Sequence, residues 1–281
     1  MVATCVCIAS LIIRKKQKQI RSHENPAVQG VNRLDSHVVC AAFSSEKESR
    51  SHVMQRKCSI NALDLSGKWH FRLFRNANDA FYFKEHGDRR MRAEGGTEIV
   101  VPGSWQLQCV GDMPIYTNSG YVCPLENIEI PCDNPTGYYT KEFVVRSSWS
   151  SRRIVLHFGG VDSAFYVWVN DQYIGFSKDS RLPVEFDITS AVKFNTSDNT
   201  LNIGGSAAVN SLEVLVCRMS DGAIFENQDM WNLSGIYRDV MLISYPQPLH
   251  IWDFSWSLDL EFFTSAYSAT HGEEGRDSWL G

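Results

Sequence analysis

The central part of the chain carries short strand-like runs rich in apolar residues, and in some of them apolar and polar residues alternate. Turn residues separate these runs, and Asn170-Asp171 lies between two of them as a hairpin signal. Alternation with a period of two predicts strands that bury one face. The runs predicted as strands cover residues 69–74, 98–101, 138–145, 152–158, 163–170, 172–177, 182–190, 199–203, 211–218 and 236–243.

The helical signal is weak by comparison, with one or two helical turns predicted from Asp79 to Glu85. Short strands at close spacing, joined by turns and lacking a βαβ rhythm, are typical of antiparallel sandwiches. The pattern therefore predicts an all-β fold, an antiparallel jelly-roll β-sandwich.

The two ends of the chain lack this periodicity. Residues 1–60 are polar and charged over long stretches, and we predict a low-order N-terminal extension with at most a short helix near 14–21. Residues 61–246 form the predicted sandwich. Residues 247–281 are interpreted as the start of a linker or of a next domain, followed by an irregular tail.

One segment inside the sandwich fits the pattern badly. Small residues fill the segment between Ile203 and Glu213, where a strand is expected to continue. We expect an insertion over Gly204–Leu212 that interrupts that strand.

Two polar segments are candidates for function, because binding residues concentrate in loops on a rigid sheet. The first is the proline-rich stretch 110–137, which carries Tyr116, Asn118 and Tyr121 and is interpreted as an ordered, functional loop. The second runs from Arg218 to Val240, with a turn predicted at Asp221-Gly222. Its side chains suited to a sugar hydroxyl or a sugar ring are Glu226, Asn227, Gln228, Asp229, Trp231 and Asn232.

This second segment has two interpretations from the residues alone. It is a solvated surface loop, or it is an edge that binds a polyol or a cation. Aromatic residues make up 12% of the chain, which suits both a β core and sugar binding.

Charge and cysteine content narrow the classes of partner. The net charge of −5 argues against a nucleic-acid partner, which requires a basic face, and gives no attraction to an anionic membrane. The eight cysteines are scattered without a C-x-x-C pair, so neither a zinc site nor a disulfide framework is indicated. Free thiols favour a reducing, cytoplasmic compartment, although sequons at Asn195 and Asn232 leave secretion open.

The first residues are apolar for about eleven positions and are followed by a basic cluster. This run is too short to span a bilayer. It is interpreted as a frayed N-terminus, with a short membrane anchor as the alternative.

Six motifs occur in the order found in a known family. They are V-P-G-S-W-Q at 101–106, P-I-Y-T-N at 114–118, D-N-P-T-G-Y-Y at 133–139, V-D-S-A-F-Y-V-W-V-N at 161–170, D-S-R-L-P-V-E-F-D at 179–187 and Q-D-M-W-N-L-S-G-I-Y-R-D-V at 228–240. From about Leu63 to about Phe254 the chain resembles the N-terminal part of family 2 glycoside hydrolases, and most of all the large β-galactosidases. The flank 1–60, the 204–212 segment and the tail after Phe254 depart from the family pattern, as a truncated or misjoined gene product would.

The resemblance implies a galactose-binding-like jelly roll that precedes an immunoglobulin-like domain and a catalytic barrel. That barrel carries the two Glu residues of a retaining mechanism. The chain has no N-E dipeptide and no H-Y-P segment, so no catalytic residue is predicted in it. Glu185, Glu226 and Asp229 have no counterpart among the family's catalytic acids.

The resemblance also implies roles for individual residues. Asn118 corresponds to a loop Asn that bonds the galactosyl group, and Asp229 to an Asp that contacts galactosyl hydroxyls and helps to hold a sodium ion. Trp231 adds an apolar face or packs. Magnesium is expected elsewhere in full-length members of the family.

The function expected from the resemblance is the sugar-binding portion of a β-galactosidase, inactive by itself. One alternative is a stand-alone carbohydrate-binding or interaction module, which pairs with a separate chain that carries the barrel. A second alternative is a sister activity, β-glucuronidase or β-mannosidase.

Overall fold

The computed structural model describes residues 21–38, 42–43, 45–52, 56–87, 96–108, 111–118, 130–194, 208–227, 229–255 and 257. Two antiparallel sheets dominate these residues. The larger has seven strands in the order β1-β10-β9-β12-β6-β3-β4, and the smaller has four in the order β11-β7-β15-β2. The predicted all-β antiparallel sandwich is therefore confirmed.

The strand bounds follow the alternating runs closely. The larger sheet contains β1 (Gly30–Val31), β3 (Gly67–Phe74), β4 (Thr97–Val101), β6 (Thr136–Val144), β9 (Ala164–Val169), β10 (Gln172–Lys178) and β12 (Val209–Cys217). The smaller contains β2 (Ala62–Asp64), β7 (Arg153–Phe158), β11 (Val184–Asp187) and β15 (Val240–Tyr245). Two short pairs complete the described strands: β5 (Ile115–Thr117) with β13 (Met230–Asn232), and β8 (Val161–Asp162) with β14 (Gly235–Ile236).

Strand β9 shows how side chains that point alternately to the two faces of a sheet build two apolar layers. All six of its residues are buried. Phe165, Val167 and Val169 point into the main core between the sheets. Ala164, Tyr166 and Trp168 pack in a second cluster on the outer side, with residues of helix α2 (Ala77–His86). A central strand covered on both faces therefore needs no polar positions.

The helix and the hairpin predicted from the sequence are both present. Helix α2 contains the predicted turns from Asp79 to Glu85, and the Asn76 side chain caps its N-terminus. Asn170 and Asp171 join β9 to β10 with φ values of 52° and 66°. Two adjacent residues with positive φ suit the right-handed twist of a hairpin.

The expected insertion at Gly204–Leu212 is wrong for the residues that the structure describes there. Val209 pairs with Val144 as the first residue of β12, and Leu212 pairs with both Lys141 and Val169. Asn210 and Leu212 are buried there, and Leu212 packs in the same core as Val214 and Val216 further along β12. The predicted strand 199–203 and residues 204–207 lie outside the described residues.

Part of the N-terminal extension belongs to the sandwich, in contrast to the loose attachment expected for residues 1–60. Gly30 and Val31 pair with Ser177 and Phe176 at the edge of the larger sheet. His23 is buried, and its backbone N–H donates to the Tyr166 hydroxyl at 3.1 Å. The expected short helix near 14–21 lies outside the described residues apart from Arg21.

Two further α-helices, both short, lie in the described parts of the chain: α1 (Glu46–Ser51) and α3 (Asp221–Glu226). None of the described helices is long and apolar enough to cross a membrane.

Candidate functional site

The two loops singled out in the sequence meet as a small two-stranded ribbon. Strand β5 pairs antiparallel with β13, so that Met230 lies opposite Thr117 and Trp231 lies opposite Tyr116. Asn118 follows β5 directly, and Asp229 precedes β13 directly. Continuing the register by one step sets Asn118 opposite Asp229.

This register gathers the predicted site residues on one side of the ribbon. Directly opposed residues of an antiparallel pair share a face, and so do residues two positions apart. We call Tyr116, Asn118, Asp229 and Trp231 the exposed face of the ribbon, since all four side chains reach solvent. Tyr116 is 49% exposed and Trp231 is 58% exposed, so neither aromatic ring is buried in the core.

Two contacts organise the exposed face. The rings of Tyr116 and Trp231 lie 5.4 Å apart between centroids and are tilted by 49°. The Tyr116 hydroxyl donates a hydrogen bond to Oδ1 of Asp229. Because that bond stabilises the neutral phenol, it raises the pKa of Tyr116.

The opposite side of the ribbon is tied to the sandwich by polar side chains. The Asn232 amide donates to the Thr117 hydroxyl at 3.0 Å, and that hydroxyl donates to Oδ1 of Asn227 at 2.7 Å. The Glu226 carboxylate accepts the Ser180 backbone N–H at 3.1 Å. Of the six side chains noted between Glu226 and Asn232, these three therefore hold the ribbon in place, and Gln228 lies outside the described residues.

The segment before the ribbon is a helix rather than the predicted turn. Asp221-Gly222 forms the first turn of α3, which the Ser220 side chain caps by accepting the Ala223 backbone N–H. The reason is a buried partner: the Lys178 ammonium lies 2.7 Å from Oδ1 of Asp221, with both side chains almost fully buried. This ion pair anchors the N-terminal end of α3 to β10.

A second buried ion pair anchors the loop that leads into β5. Arg218, directly after β12, donates to Oδ1 of Asp112 and, at 2.9 Å, to the Met113 carbonyl. Oδ2 of Asp112 accepts from the Trp105 indole N–H at 2.6 Å and from the Gln106 amide at 3.0 Å. Four donors thus converge on two neighbouring residues of the loop, which fixes where β5 begins.

A small cavity of about 30 Å³ lies behind the ribbon, and its lining combines apolar residues such as Ile224 with polar residues that include Asp162, Glu226 and Ser234. Burial raises the pKa of Asp162 to about 7, although the Arg181 guanidinium, 3.7 Å away, opposes the shift. The charge of Glu226 adds to the rise. Asp162 is therefore a carboxyl that is partly protonated near neutral pH.

An apolar groove elsewhere in the described part of the chain is not part of this site. It has a volume of about 340 Å³ and lies against the smaller sheet, with Ala62, Met241, Tyr245 and Phe254 in its lining. Its lining shares no residue with the exposed face of the ribbon.

The chemistry of the exposed face is that of a weak polyol or cation site. An amide both donates and accepts, a carboxylate accepts hydroxyl protons and ligates hard cations, and tilted rings present apolar surface. No group of three or more His, Cys, Asp or Glu side chains suited to a metal ion occurs within the described ranges. Asp229 is therefore the one carboxylate that the described part of the ribbon offers to a cation on its exposed face.

Tyr116 is the member of this face that the sequence did not single out as a binding residue. It was part of the loop interpreted as functional, but no motif assigned it a contact. The only sequence signal is its position, two residues before Asn118, which shares a face with it in an extended strand.

Comparison with known proteins extends these observations. Residues 62–246 match the family model described as "Glycosyl hydrolases family 2, sugar binding domain". The β-galactosidase of Leuconostoc mesenteroides subsp. mesenteroides is 38% identical over 226 residues, which are 80% of this chain and 20% of that protein. The β-galactosidase of Yersinia pestis bv. Antiqua (strain Angola) is 38% identical over 248 residues, which are 88% of this chain and 21% of that protein.

Two points follow from these lengths. The chain spans only about a fifth of the curated relatives that it matches. Fewer than 226 residues follow residue 60, so both alignments reach into the flank 1–60, for which the sequence motifs indicated no family match. That part of the interpretation is wrong.

Comparison with solved structures gives partial matches. A β-glucuronidase from an uncultured Clostridium sp. is 20% identical with a TM-score of 0.46, and the match covers 66% of this chain and 29% of that one. A family 2 member from Bacteroides cellulosilyticus is 22% identical with a TM-score of 0.45, over 66% of this chain and 20% of that one. Likenesses of this extent carry no information about substrate.

The sandwich and the family match over most of its length lead to one assignment. This chain belongs to glycosyl hydrolase family 2, and its residues 62–246 are the sugar-binding domain of that family.

Proposed function

We propose that the exposed face of the ribbon binds the galactosyl group of β-galactosides, as one wall of a β-galactosidase site. The observation that carries this proposal is the shared face of Asn118, Asp229 and Trp231, which come from two loops far apart in sequence. The Asn118 amide and the Asp229 carboxylate bond the sugar hydroxyls. The Trp231 ring lies against the apolar side of the pyranose.

The charge of this face favours a neutral sugar over a uronic acid. Asp229 is its one carboxylate, and the face as described contains no Lys or Arg that would pair with a sugar carboxylate. A glucuronosyl group would bring a second negative charge close to Asp229. This argues for a galactoside rather than for the sister β-glucuronidase activity.

Catalysis belongs to the rest of such an enzyme in this proposal. A retaining glycosidase needs two carboxyl groups about 5–5.5 Å apart across the glycosidic bond. We assign neither to this chain, so we propose that it is inactive by itself and hydrolyses β-galactosides only together with a barrel, on the same or on a separate chain.

A sodium ion at Asp229 fits the donor chemistry in part. Oδ1 accepts from Tyr116, and Oδ2 accepts no hydrogen bond from another described residue, so Oδ2 is available to a hard cation. One carboxylate oxygen is too few for a complete coordination shell, and the remaining ligands would come from the sugar, from water and from the barrel. The proposal leaves magnesium to residues outside this chain.

The test is a titration of the purified chain with galactose, followed by tryptophan fluorescence and by NMR. We expect weak binding, with a dissociation constant of about 1 mM or higher, because one wall of a site excludes little water. Asp229→Asn and Asn118→Ala should each weaken the response, whereas Glu142→Gln, at an exposed position of β6, should leave it unchanged.

Three results would contradict the proposal. They are a titration curve that does not change in Asp229→Asn, tighter binding of glucuronate than of galactose, and robust turnover of a chromogenic β-galactoside by the isolated chain. Replacing sodium by choline in the buffer tests the cation separately, and we expect weaker galactose binding without sodium.

A further inference from the structure

We propose that Tyr116 is a positioning residue of this site, which holds the Asp229 carboxylate in one orientation so that its second oxygen faces the ligand. This inference rests on the proposed galactoside site, and it adds a residue that neither the motifs nor the family match assigns to it.

The backbone of Tyr116 is held in position, and this fixes where its hydroxyl lies. Its backbone lies opposite Trp231 in the β5–β13 pair. The neighbouring Thr117 hydroxyl is bonded to Asn227, and the loop before β5 is held by Arg218 through Asp112. The phenol therefore projects from a segment that is tied down on both sides.

Asp229, in contrast, has little else to hold it. It is exposed and lies just before β13, and its Oδ1 atom accepts from Tyr116. Among the described residues no second side chain or backbone group donates to it. An exposed Asp rotates freely about its side-chain bonds. When a ligand requires one rotamer, the entropy lost in fixing that rotamer weakens its binding. The bond from Tyr116 orders that carboxylate before the ligand arrives.

The hydrogen bond from Tyr116 leaves acceptor positions on the Asp229 carboxylate for the ligand. A carboxylate has about four acceptor positions on its two oxygens, and Tyr116 uses one of them. Oδ2 remains free to accept from a sugar hydroxyl or to ligate a cation. The ring of Tyr116 meanwhile stays 5.4 Å from the ring of Trp231, so one residue shapes both the polar and the apolar part of the face.

The first test removes only the hydroxyl, with Tyr116→Phe. Galactose affinity should fall about three- to tenfold, which corresponds to the cost of ordering one side chain. Tyr82→Phe is the matched control, because Tyr82 is 66% exposed and lies on α2, outside the ribbon. The galactose affinity of this variant should equal that of the wild type. An unchanged urea midpoint in Tyr116→Phe would exclude a general loss of structure.

The second test asks whether Tyr116 acts through Asp229. In an Asp229→Asn background, adding Tyr116→Phe should not weaken galactose binding further. Ultraviolet titration of the phenols, with Tyr116→Phe as the reference, should show Tyr116 ionising at higher pH in the wild type than in Asp229→Asn. The titration reports the hydrogen bond itself, and the double substitution reports its role: a merely structural role would leave the effects of the two substitutions on affinity additive.

The outcomes separate this inference from the proposed function. A wild-type chain that binds galactose, with equal affinity in Tyr116→Phe, overturns the role of Tyr116 and leaves the site in place. A wild-type chain that does not respond to galactose overturns the site itself and the role of Tyr116 in ligand binding with it. Additive effects of the two substitutions would also overturn the positioning role.

Discussion

Arg218 and Asp112 form a buried ion pair that joins the end of β12 to the loop before β5. Their side chains are 5% and 6% exposed, and Arg218 also donates to the Met113 carbonyl at 2.9 Å. The pair thus connects the larger sheet with the ribbon that carries the candidate site, so the ribbon's position depends on an interaction within the sandwich.

Removing one partner of this pair should be strongly destabilising. Arg218→Met leaves the Asp112 carboxylate buried without its cation, and we expect a loss of about 3–5 kcal/mol in the free energy of unfolding. Urea denaturation measures it. Arg50→Met is the control, because its pair with Glu46 has side chains 79% and 77% exposed, and little change is expected there. Equal effects of the two substitutions would contradict the structural role of Arg218.

Asp162 should make stability fall as the pH rises toward neutrality. Its pKa is raised from 3.8 to about 7 in the folded chain, mainly by burial, so between these values the folded state holds a proton that the unfolded state has released. The contribution of Asp162 to stability is then greatest below pH 3.8 and declines up to about pH 7.

Asp162→Asn removes this titration, and the variant should therefore gain stability relative to the wild type between pH 4 and pH 7. The gain is at most about 4 kcal/mol, since one pKa unit corresponds to about 1.4 kcal/mol. Denaturation at both pH values measures it. A stability difference between variant and wild type that stays constant over this range would show that Asp162 ionises normally in the fold.

Glu185 should have the opposite dependence on pH. Burial alone would raise the pKa of this carboxyl, but hydrogen bonds from His157 at 2.8 Å and His37 at 2.7 Å bring it below the ordinary value of 4.5. A depressed pKa contributes stability that is present above pH 4.5 and is lost as the pH falls through the folded pKa.

Glu185→Gln should therefore cost about 1–3 kcal/mol at pH 7, since it weakens two buried hydrogen bonds. The difference from the wild type should shrink as the pH falls below 4.5. Thermal or urea denaturation between pH 3 and pH 7 checks both statements, and a difference that grows toward low pH would refute them.

Two glycines close to the site should respond in opposite directions to alanine. Gly235 has a φ of +133°, and a Cβ there would lie 2.9 Å from both the Gly103 carbonyl and the Tyr139 hydroxyl. Gly235→Ala should destabilise by about 1–3 kcal/mol through strain at this φ alone, with the close contacts adding to it.

Gly222 lies in the first turn of α3, where a Cβ would meet nothing closer than 3.7 Å. Gly222→Ala should stabilise by about 0.4–1 kcal/mol, because alanine loses less conformational entropy on folding. The two chemically identical changes serve as controls for each other in the same denaturation assay. If both destabilise equally, the difference in backbone conformation does not decide the outcome.

The N-terminal flank should protect the sandwich from proteolysis. Residues 30–31 extend the larger sheet, and the Lys178 ammonium donates to the Asn25 carbonyl at 2.9 Å. Limited proteolysis with mass spectrometry should therefore yield a resistant core that begins before residue 30. A chain starting at residue 61 should unfold at lower urea than one starting at residue 21. A resistant core that starts near residue 61 would contradict this.

The regular parts of the fold follow from local pattern. The continuous apolar run of β9, rich in β-branched and aromatic residues, and the Asn170-Asp171 pair are sufficient to predict a strand and its hairpin, because strand preference and turn geometry depend on neighbouring residues only. The prediction of a turn at Asp221-Gly222 was wrong because a residue distant in sequence decides the local structure there. Lys178, 43 positions away, pairs with Asp221 and stabilises the first turn of a helix.

The candidate site also combines features that local sequence predicts with features that depend on distant residues. The chemistry of Asn118, Asp229 and Trp231 was readable from residue type and from the motifs that contain them. Tyr116 was missed as a partner of Asp229, because the two residues are 113 positions apart and no local signal joins them. Their contact depends on the register of β5 and β13.

The sequence by itself determined the all-β class, most strand positions and the family to which the motifs belong. Each of these depends on side-chain polarity and on short-range backbone preference. Only the tertiary structure decided which side chains share the exposed face of the ribbon, which polar groups of the Glu226–Asn232 stretch serve as ties, and how Asp162 and Glu185 ionise. Those properties depend on strand register and on burial, which arise when distant segments pack together.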